Sequence, residues 1–418
     1  MKWCLIMYQK WKTKDCKNLS VCVSRILVLL LAVLFVNGCT AEKSRSKDSV
    51  RFALFNIWEM STKKLTNVDA NGVGQNEQLK AAAEIIRKIN PDVLVLNEID
   101  HDIEGLQQYG NDLSLNARRF NDAYLKQGEN PLNYPFIFAA SCNTGLLSGK
   151  DLNNDGILAT AENSGSREHG GDSFGYGAYP GQYSMALMSR YPLQEEKIRT
   201  FQKFLWKDLP DNLIPTDWYS ADEIEIFRLS SKSHWDIPVT IGKKTVHMLM
   251  SHPTPPSMDG SENRNGRRNY DEIRMWVHYI NNDSVMVDDQ GARGGLAESE
   301  SFIIAGDLNA APHGDRLDTG ERSIDLLLKH ERIQDCGNLL VSRGALNGLE
   351  PGPPKHREGR TAGWGNRGLR IDHLLPSIDL KVLSGGVYWP DMTVDAECAA
   401  LAKKASDHRM IWLDIDLK

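Results

Sequence analysis

Cysteine is scarce in this 418-residue chain, and it is placed where it can do little structural work. Seven are present, and Cys4, Cys16, Cys22 and Cys39 all fall at the start. Cys142, Cys336 and Cys398 stand far apart, without the Cys-x-x-Cys or Cys/His spacing of a zinc site. A disulfide-dense scaffold is therefore excluded. One bridge with a thiol left over and three buried free thiols both stay open. A surplus of positive charge is also lacking. The net charge is −6, and setting aside the six basic residues and one acid of residues 1–38 moves it to −11. Broad non-specific nucleic-acid binding needs a basic surface, although an acidic body can still carry a locally positive groove. A long apolar run is missing too. Ile26 to Val36 has signal-peptide length and is too short for a comfortable membrane span.

That run follows a basic leader and ends Val36-Asn37-Gly38-Cys39. It reads as a bacterial lipobox, with residues 1–38 removed and Cys39 lipidated as the mature N-terminus; an uncleaved anchor is the plainer alternative. The expected location is the cell envelope, as an outer-membrane or surface lipoprotein, or else secretion. Residues 39–49 are short and polar and read as a tether. Residues 50–418 have ordinary globular composition, with enough length for a buried core.

Within that region strands and helices alternate. Gln75 to Asn90 reads as a helix, with Leu79, Ala82, Ala83, Ile86 and Ile89 on one face and Pro91 ending it. Val93 to Leu96 is apolar on both faces, as in a buried central strand. Tyr183 to Met188 and Ile237 to Ser251 read as strands, the latter turning at Gly242-Lys243-Lys244. Asn269 to Asn281 and Ser323 to His330 read as helices, and Phe302 to Ala305 and Arg409 to Leu417 as strands. The expected fold class is α/β (α+β): two β-sheets packed face to face with helices outside. Residues 141–178, rich in Gly, Ser and Asn, read as an insertion. Inside it, Asp151-Leu152-Asn153-Asn154-Asp155-Gly156 resembles the front half of a calcium loop. Its oxygens would come from Asp151, Asn153 and Asp155, with Glu162 at the twelfth position; an Asp/Asn-rich turn is the alternative.

The polar residues that carry chemistry sit where apolar runs end. Asn56 closes Val50 to Phe55, Glu98 closes Asp92 to Asn97, and His252 closes Thr245 to Ser251. Gly306-Asp307-Leu308-Asn309 follows Phe302 to Ala305, and Asp372 and His373 lie in Leu369 to Leu375. Ser406-Asp407-His408 opens the last strand. Carboxylates, carboxamides and imidazoles gathered at strand ends are the equipment of metal-assisted phosphate ester hydrolysis, in which the anion must be neutralised, a water presented and the leaving oxygen stabilised.

The ordered set Asn, Glu, His, Asp-x-Asn, Asp, Asp-His resembles the endonuclease/exonuclease/phosphatase superfamily, the DNase I-like fold. The resemblance implies a four-layer sandwich of two packed mixed β-sheets built from two similar halves. It implies Glu98 as a metal ligand with Asn56 and Asp407 as partners, for Mg²⁺ or Mn²⁺. Asp307 would be the base that orients or deprotonates water, and Asn309 would hold a phosphate oxygen or the nucleophile. His252 would contact the phosphate. His408 would donate to it, with Asp372 behind the imidazole; His373 would face the other way as a structural residue. Arg190, in Ser189-Arg190-Tyr191-Pro192, matches a segment common in the superfamily and would bind phosphate or else anchor the turn. The basic stretch from Asn263 to Asn269 would either bind further phosphates or begin a helix. The partner is then a phosphate ester, with nucleic acid one candidate; the membrane is met through the lipid, and the default assembly is a monomer. An extracellular nuclease and a sphingomyelinase-like phospholipase are alternatives within the class, and a non-catalytic surface binding protein is the alternative outside it.

Overall fold

The computed structural model describes residues 45–46, 49–102, 112–314, 317, 320–346, 359–364 and 367–417. The expected leader and the lipidation residue Cys39 lie outside the described residues. Among the described residues no helix is long and apolar enough to cross a membrane.

Thirteen strands are described: β1 (Ser49–Met60), β2 (Val93–Ile99), β3 (Phe136–Phe138), β4 (Ser184–Ser189), β5 (Arg199–Thr200), β6 (His234–Ile241), β7 (Lys244–Ser251), β8 (Ser301–Asp307), β9 (Ala362–Trp364), β10 (Arg367–Leu369), β11 (Asp372–Pro376), β12 (Lys381–Val387) and β13 (Ile411–Asp416). The three longest helices are α1 (Glu77–Ile89), α2 (Arg264–Ile280) and α3 (Ala396–Ala405). One sheet has the order β12-β13-β1-β2-β4-β3, a second β11-β8-β7-β6-β5, and β9 and β10 form a ribbon.

The two large sheets share a pattern. In the first, β13-β1-β2-β4 runs antiparallel, parallel, antiparallel, and α1 connects the parallel pair. In the second, β6-β7-β8-β11 repeats that order, with α2 between β7 and β8. Each parallel crossover carries a helix to an outer face, as such connections require. The period of two along a strand then sorts the side chains into layers. On β1, Phe52 and Leu54 meet Trp235, Met248, Ile303 and Leu374 in a core between the sheets. Ala53 and Phe55 point outward, against Leu79 and Ile86 of α1 and Ala402 of α3. On the second sheet, Leu249, Phe302 and Ile304 pack outward against Ile273, Trp276 and Ile280 of α2. The result is helix, sheet, sheet, helix, in mixed sheets.

Several expected elements differ at their ends. α2 starts at Arg264, five residues before the apolar periodicity begins, because its first turn is polar and half-buried, with Gly266, Arg268 and Asn269 buried at its start. Arg268 there donates to the Leu229 and Phe174 carbonyls and stacks on Phe227, so this basic stretch builds a helix start and is not a free phosphate patch. The helix expected at Ser323–His330 is only the single turn Asp325–Leu328. Cys142, Cys336 and Cys398 are buried free thiols, so no bridge forms among them. The insertion is fastened down: Asn143 donates to the Gln202 and Ser230 carbonyls, and a Cβ on Gly175 would lie 1.7 Å from the Ser231 carbonyl oxygen. Only glycine permits that approach.

Candidate active site

The catalytic candidates converge because the sheets present matching ends. Asn56, Glu98, His252 and Asp307 lie at or just past the C-terminal ends of the parallel strands β1, β2, β7 and β8. Asp372 opens β11 and pairs in register with Asp307, and His408 stands just before β13. All six therefore meet at one edge of the two sheets.

Backbone strain marks the same place. Glu98 (φ 61°), Trp58, Glu59 and Asn309 are left-handed, a conformation unfavourable for residues other than glycine. The pairing of β1 with β2 shifts between Asn56 and Met60, and that of β2 with β4 between Asn97 and Ile99. Those irregularities turn Asn56 and Glu98 into the cleft.

Asp307 is at the centre. It is 2% exposed. Its Oδ2 accepts from the Asn56 amide at 3.0 Å and lies 3.6 Å from Nε2 of both His252 and His408. Its Oδ1 accepts from the Asn309 backbone at 2.9 Å. Burial, with Asp372 and Glu98 adding to it and His408 opposing, pushes its carboxyl up to about 7. The two imidazoles differ in charge. His408 is disfavoured as a cation by burial, but the carboxylates of Asp372 and Asp307 outweigh this and lift it to about 10. His252 is held well below the ordinary range by burial, with the charges of Lys232 and His408 in support. Asp372 accepts from His408 Nδ1 at 2.9 Å and from the Thr361 hydroxyl at 2.7 Å, so the ring is held with Nε2 toward Asp307. His373 faces away and bonds the Ala310 carbonyl, as a structural residue.

Glu98, Asp307 and His408 each bring one ligand atom within 4.8 Å of the others, and no other such group occurs among the described residues. Burial also raises the Glu98 carboxyl above its ordinary range. Two crowded carboxylates with hard oxygen donors fit a Mg²⁺ or Mn²⁺ ion. Asn56, expected to join the metal directly or through water, bridges the two carboxylates. It meets Glu98 and Asp307 through its amide nitrogen, at 2.9 and 3.0 Å, while its oxygen accepts from the Trp58 backbone. Asp407 is close by, with Oδ2 accepting from the Trp364 indole at 2.9 Å. Asn309 donates its amide to the Pro253 carbonyl and so ties the loop after β8 to the loop carrying His252.

Arg190 does not join the site, and the residues expected to form a calcium loop do not gather their oxygens. Arg190 follows β4, whose Ser189 pairs with Val93 at the start of β2, so it lies at the opposite end of the sheet from Glu98. It binds Asp92 and Asn90 and packs over Tyr134. The calcium loop is likewise closed on itself. Asp151 and Asn153 accept from backbone amides of Asp155 and Gly156, and Asp155 from Ile157 and the Asn153 amide. Glu162 is exposed in a separate turn, Ala161–Asn163, and does not gather with them.

The loops around this cleft are pegged by α2. Asn269 donates to the carbonyls of Thr254 and Leu308. Glu272, 1% exposed, accepts from the backbone of Ser231 and of Thr254, each at 2.6 Å. Beside Ser231 sits Lys232, 6% exposed, a residue that the sequence reading passed over.

The endonuclease/exonuclease/phosphatase family model matches residues 53–408, a span that includes every one of these groups. The chain belongs to the endonuclease/exonuclease/phosphatase family. No curated protein matches it. Among solved structures, this family member resembles an endonuclease/exonuclease/phosphatase from Beutenbergia cavernae at 16% identity and TM-score 0.48, over 89% of this chain and 72% of that one. A family protein from Leptotrichia buccalis shares 12% identity at TM-score 0.44, over 88% and 100% of the two chains. One from Bacteroides vulgatus shares 12% at TM-score 0.41, over 89% and 100%.

Proposed function

We propose that this chain is a divalent-metal-dependent hydrolase of phosphate esters, exported and lipid-anchored. The observation that carries the reading is the arrangement around Asp307. A buried carboxylate with its acidity tuned to about 7 lies 3.6 Å from one cationic and one neutral imidazole. A base tuned near neutrality can take a proton from water at working pH. Asp307 accepts that proton as the water oxygen attacks phosphorus. His408, cationic and steered by Asp372, donates from Nε2 to a phosphate oxygen. His252, neutral, stays available as a hydrogen-bonding group on the other side. Glu98, with Asp407 nearby, would hold Mg²⁺ or Mn²⁺, leaving Asp307 free as the base. When bound, the ion supplies charge neutralisation at the phosphate and stabilises the departing oxygen.

Half-exposed Trp58 and Trp364 bond to Asn56 and Asp407, and their flat apolar faces would suit a leaving group that carries a ring. This supports an ester bearing a ring or a base over a bare phosphate, within a class that still includes nucleic acid and phospholipid head groups. The test is a panel of a chromogenic phosphodiester, a chromogenic phosphomonoester, plasmid DNA and sphingomyelin, each with Mg²⁺ and with chelator. Hydrolysis of at least one, lost on chelation and restored by Mg²⁺ or Mn²⁺, is expected. No hydrolysis of any, or hydrolysis indifferent to chelation, contradicts the reading. The envelope location rests on Val36-Asn37-Gly38-Cys39. Cys39→Ser should release the protein from the membrane fraction; continued pelleting with residues 1–38 retained would point to an uncleaved anchor.

A further inference from the structure

Lys232 is buried, only 6% exposed. Glu272, Glu98 and Asp307 act on its charge, but among the described residues no carboxylate forms an ion pair with its ammonium. A lysine so placed is costly unless an anion meets it. Its position is set before any ligand arrives. The Ser231 amide donates to Glu272, the Lys232 carbonyl accepts from the Asn143 amide at 2.8 Å, and the His234 ring donates to the Glu272 carbonyl. The backbone is therefore pinned on both sides of the side chain, by α2 and by the insertion.

The neighbours of Lys232 place it beside the site: His234 pairs with Ser251 across β6 and β7, and the Ser231 hydroxyl donates to the His252 carbonyl. The charges of Glu272, Glu98 and Asp307 act on its ammonium, and that ammonium acts on His252. Burial lowers the lysine from its ordinary range, with these carboxylates pulling against it. Buried beside the loop that carries His252, and without an ion-pair partner among the described residues, this ammonium suits an oxyanion.

We propose that Lys232 is a phosphate-binding residue of the active site, its ammonium donating to a non-bridging oxygen of the scissile phosphate on the His252 side. This rests on the phosphate-ester reading given above. Ammonium contact would be worth most as charge gathers on those oxygens during attack. The alternative is that Lys232 only offsets the charge of Glu98, Asp307 and Glu272, in which case it need not touch substrate.

The test uses the full chain and two variants, Lys232→Met, which keeps length without charge, and Lys232→Arg, which keeps charge. Binding of inorganic phosphate is measured by calorimetry after chelation, alongside kcat/KM for a chromogenic phosphodiester with Mg²⁺. Loss of a charged hydrogen bond predicts a fall of about ten- to a hundredfold in both quantities for Lys232→Met, with partial recovery in Lys232→Arg. Wild-type phosphate affinity in folded Lys232→Met would overturn the proposal and leave Lys232 as a counter-charge. A wild-type protein that hydrolyses no ester overturns the functional reading first, which separates the two failures. Should Lys232→Met not fold, wild-type protein with ¹³C-labelled lysine side chains is titrated with phosphate. The resonance missing from Lys232→Arg should shift, and an unmoved resonance overturns the proposal.

Discussion

His408 Nδ1 lies 2.9 Å from Asp372 Oδ2, while the Nε2 of the same ring faces Asp307 at 3.6 Å. One imidazole thus spans two buried carboxylates that pair across β8 and β11. The carboxylate behind the ring keeps it charged and fixes its orientation. If the two act as a unit, His408→Ala should lose about a hundredfold or more in turnover, and Asp372→Asn somewhat less, because the ring remains but can turn. The double variant should then be little worse than His408→Ala alone. Multiplicative losses in steady-state kinetics would show that the residues work independently.

Glu98 is the second test. Its left-handed backbone aims a half-buried carboxylate at Asp307, and the Asn56 amide bridges the two. Glu98→Gln keeps the shape and removes the charge. Affinity for Mg²⁺ or Mn²⁺, read by calorimetry, should fall at least about tenfold, since even groups behind a ligand commonly cost that much. An unchanged dissociation constant would move the metal elsewhere.

Arg190 should matter for folding and not for turnover. Its guanidinium pairs with Asp92 at 2.9 Å, and Asp92 also accepts from the Arg51 backbone and from Arg45. Arg190→Ala should lower stability in urea by roughly 1–2 kcal/mol, the ordinary range for a broken partly buried network. Turnover of the folded variant should stay close to wild type. A large loss of turnover with unchanged stability would return Arg190 to the phosphate.

Acid sensitivity follows from His101 and His234. Both are buried and pushed down to about 4 by desolvation, which Glu272 only partly opposes at His234. The His234 ring lies between the Ser230 hydroxyl and the Glu272 carbonyl, an arrangement suited to a neutral tautomer. With folded values below the unfolded value of about 6.5, the unfolded chain binds more protons in this window. Their contribution is complete above about pH 6.5 and is lost as pH falls through about 4, by up to about 3 kcal/mol each. Urea unfolding at intervals from pH 7 to pH 4 should show declining stability, with a shallower decline in His234→Asn. A flat profile would contradict the assignment.

The sequence showed the architecture where the physics is local. Alternation along Phe52, Ala53, Leu54 and Phe55, the face of α1 and the Gly242 turn are all set by neighbours in the chain, and the structure has them. The strand-end positions of Asp307, Glu98 and His252 were legible for the same reason. Lys232 was not, since Ser-Lys-Ser reads as a polar loop and its burial comes from α2 and from Asn143, both distant in sequence. For Arg190 the motif left phosphate binding and a structural role both open, because a short motif carries no information about which end of a sheet it occupies; the register of β4 on β2 decides that. The polar first turn of α2 was hidden likewise, because the partners of Arg268 and Asn269 come from remote segments.

On the proposed reading, Asp307 is the base for ester hydrolysis in this cleft. The most direct measurement is single-turnover hydrolysis of the best ester from the panel by folded Asp307→Asn at saturating Mg²⁺. The substitution removes the proton acceptor and keeps the shape, so the rate should fall by at least about a hundredfold. A near-wild-type rate from the folded variant would contradict the account and require another base.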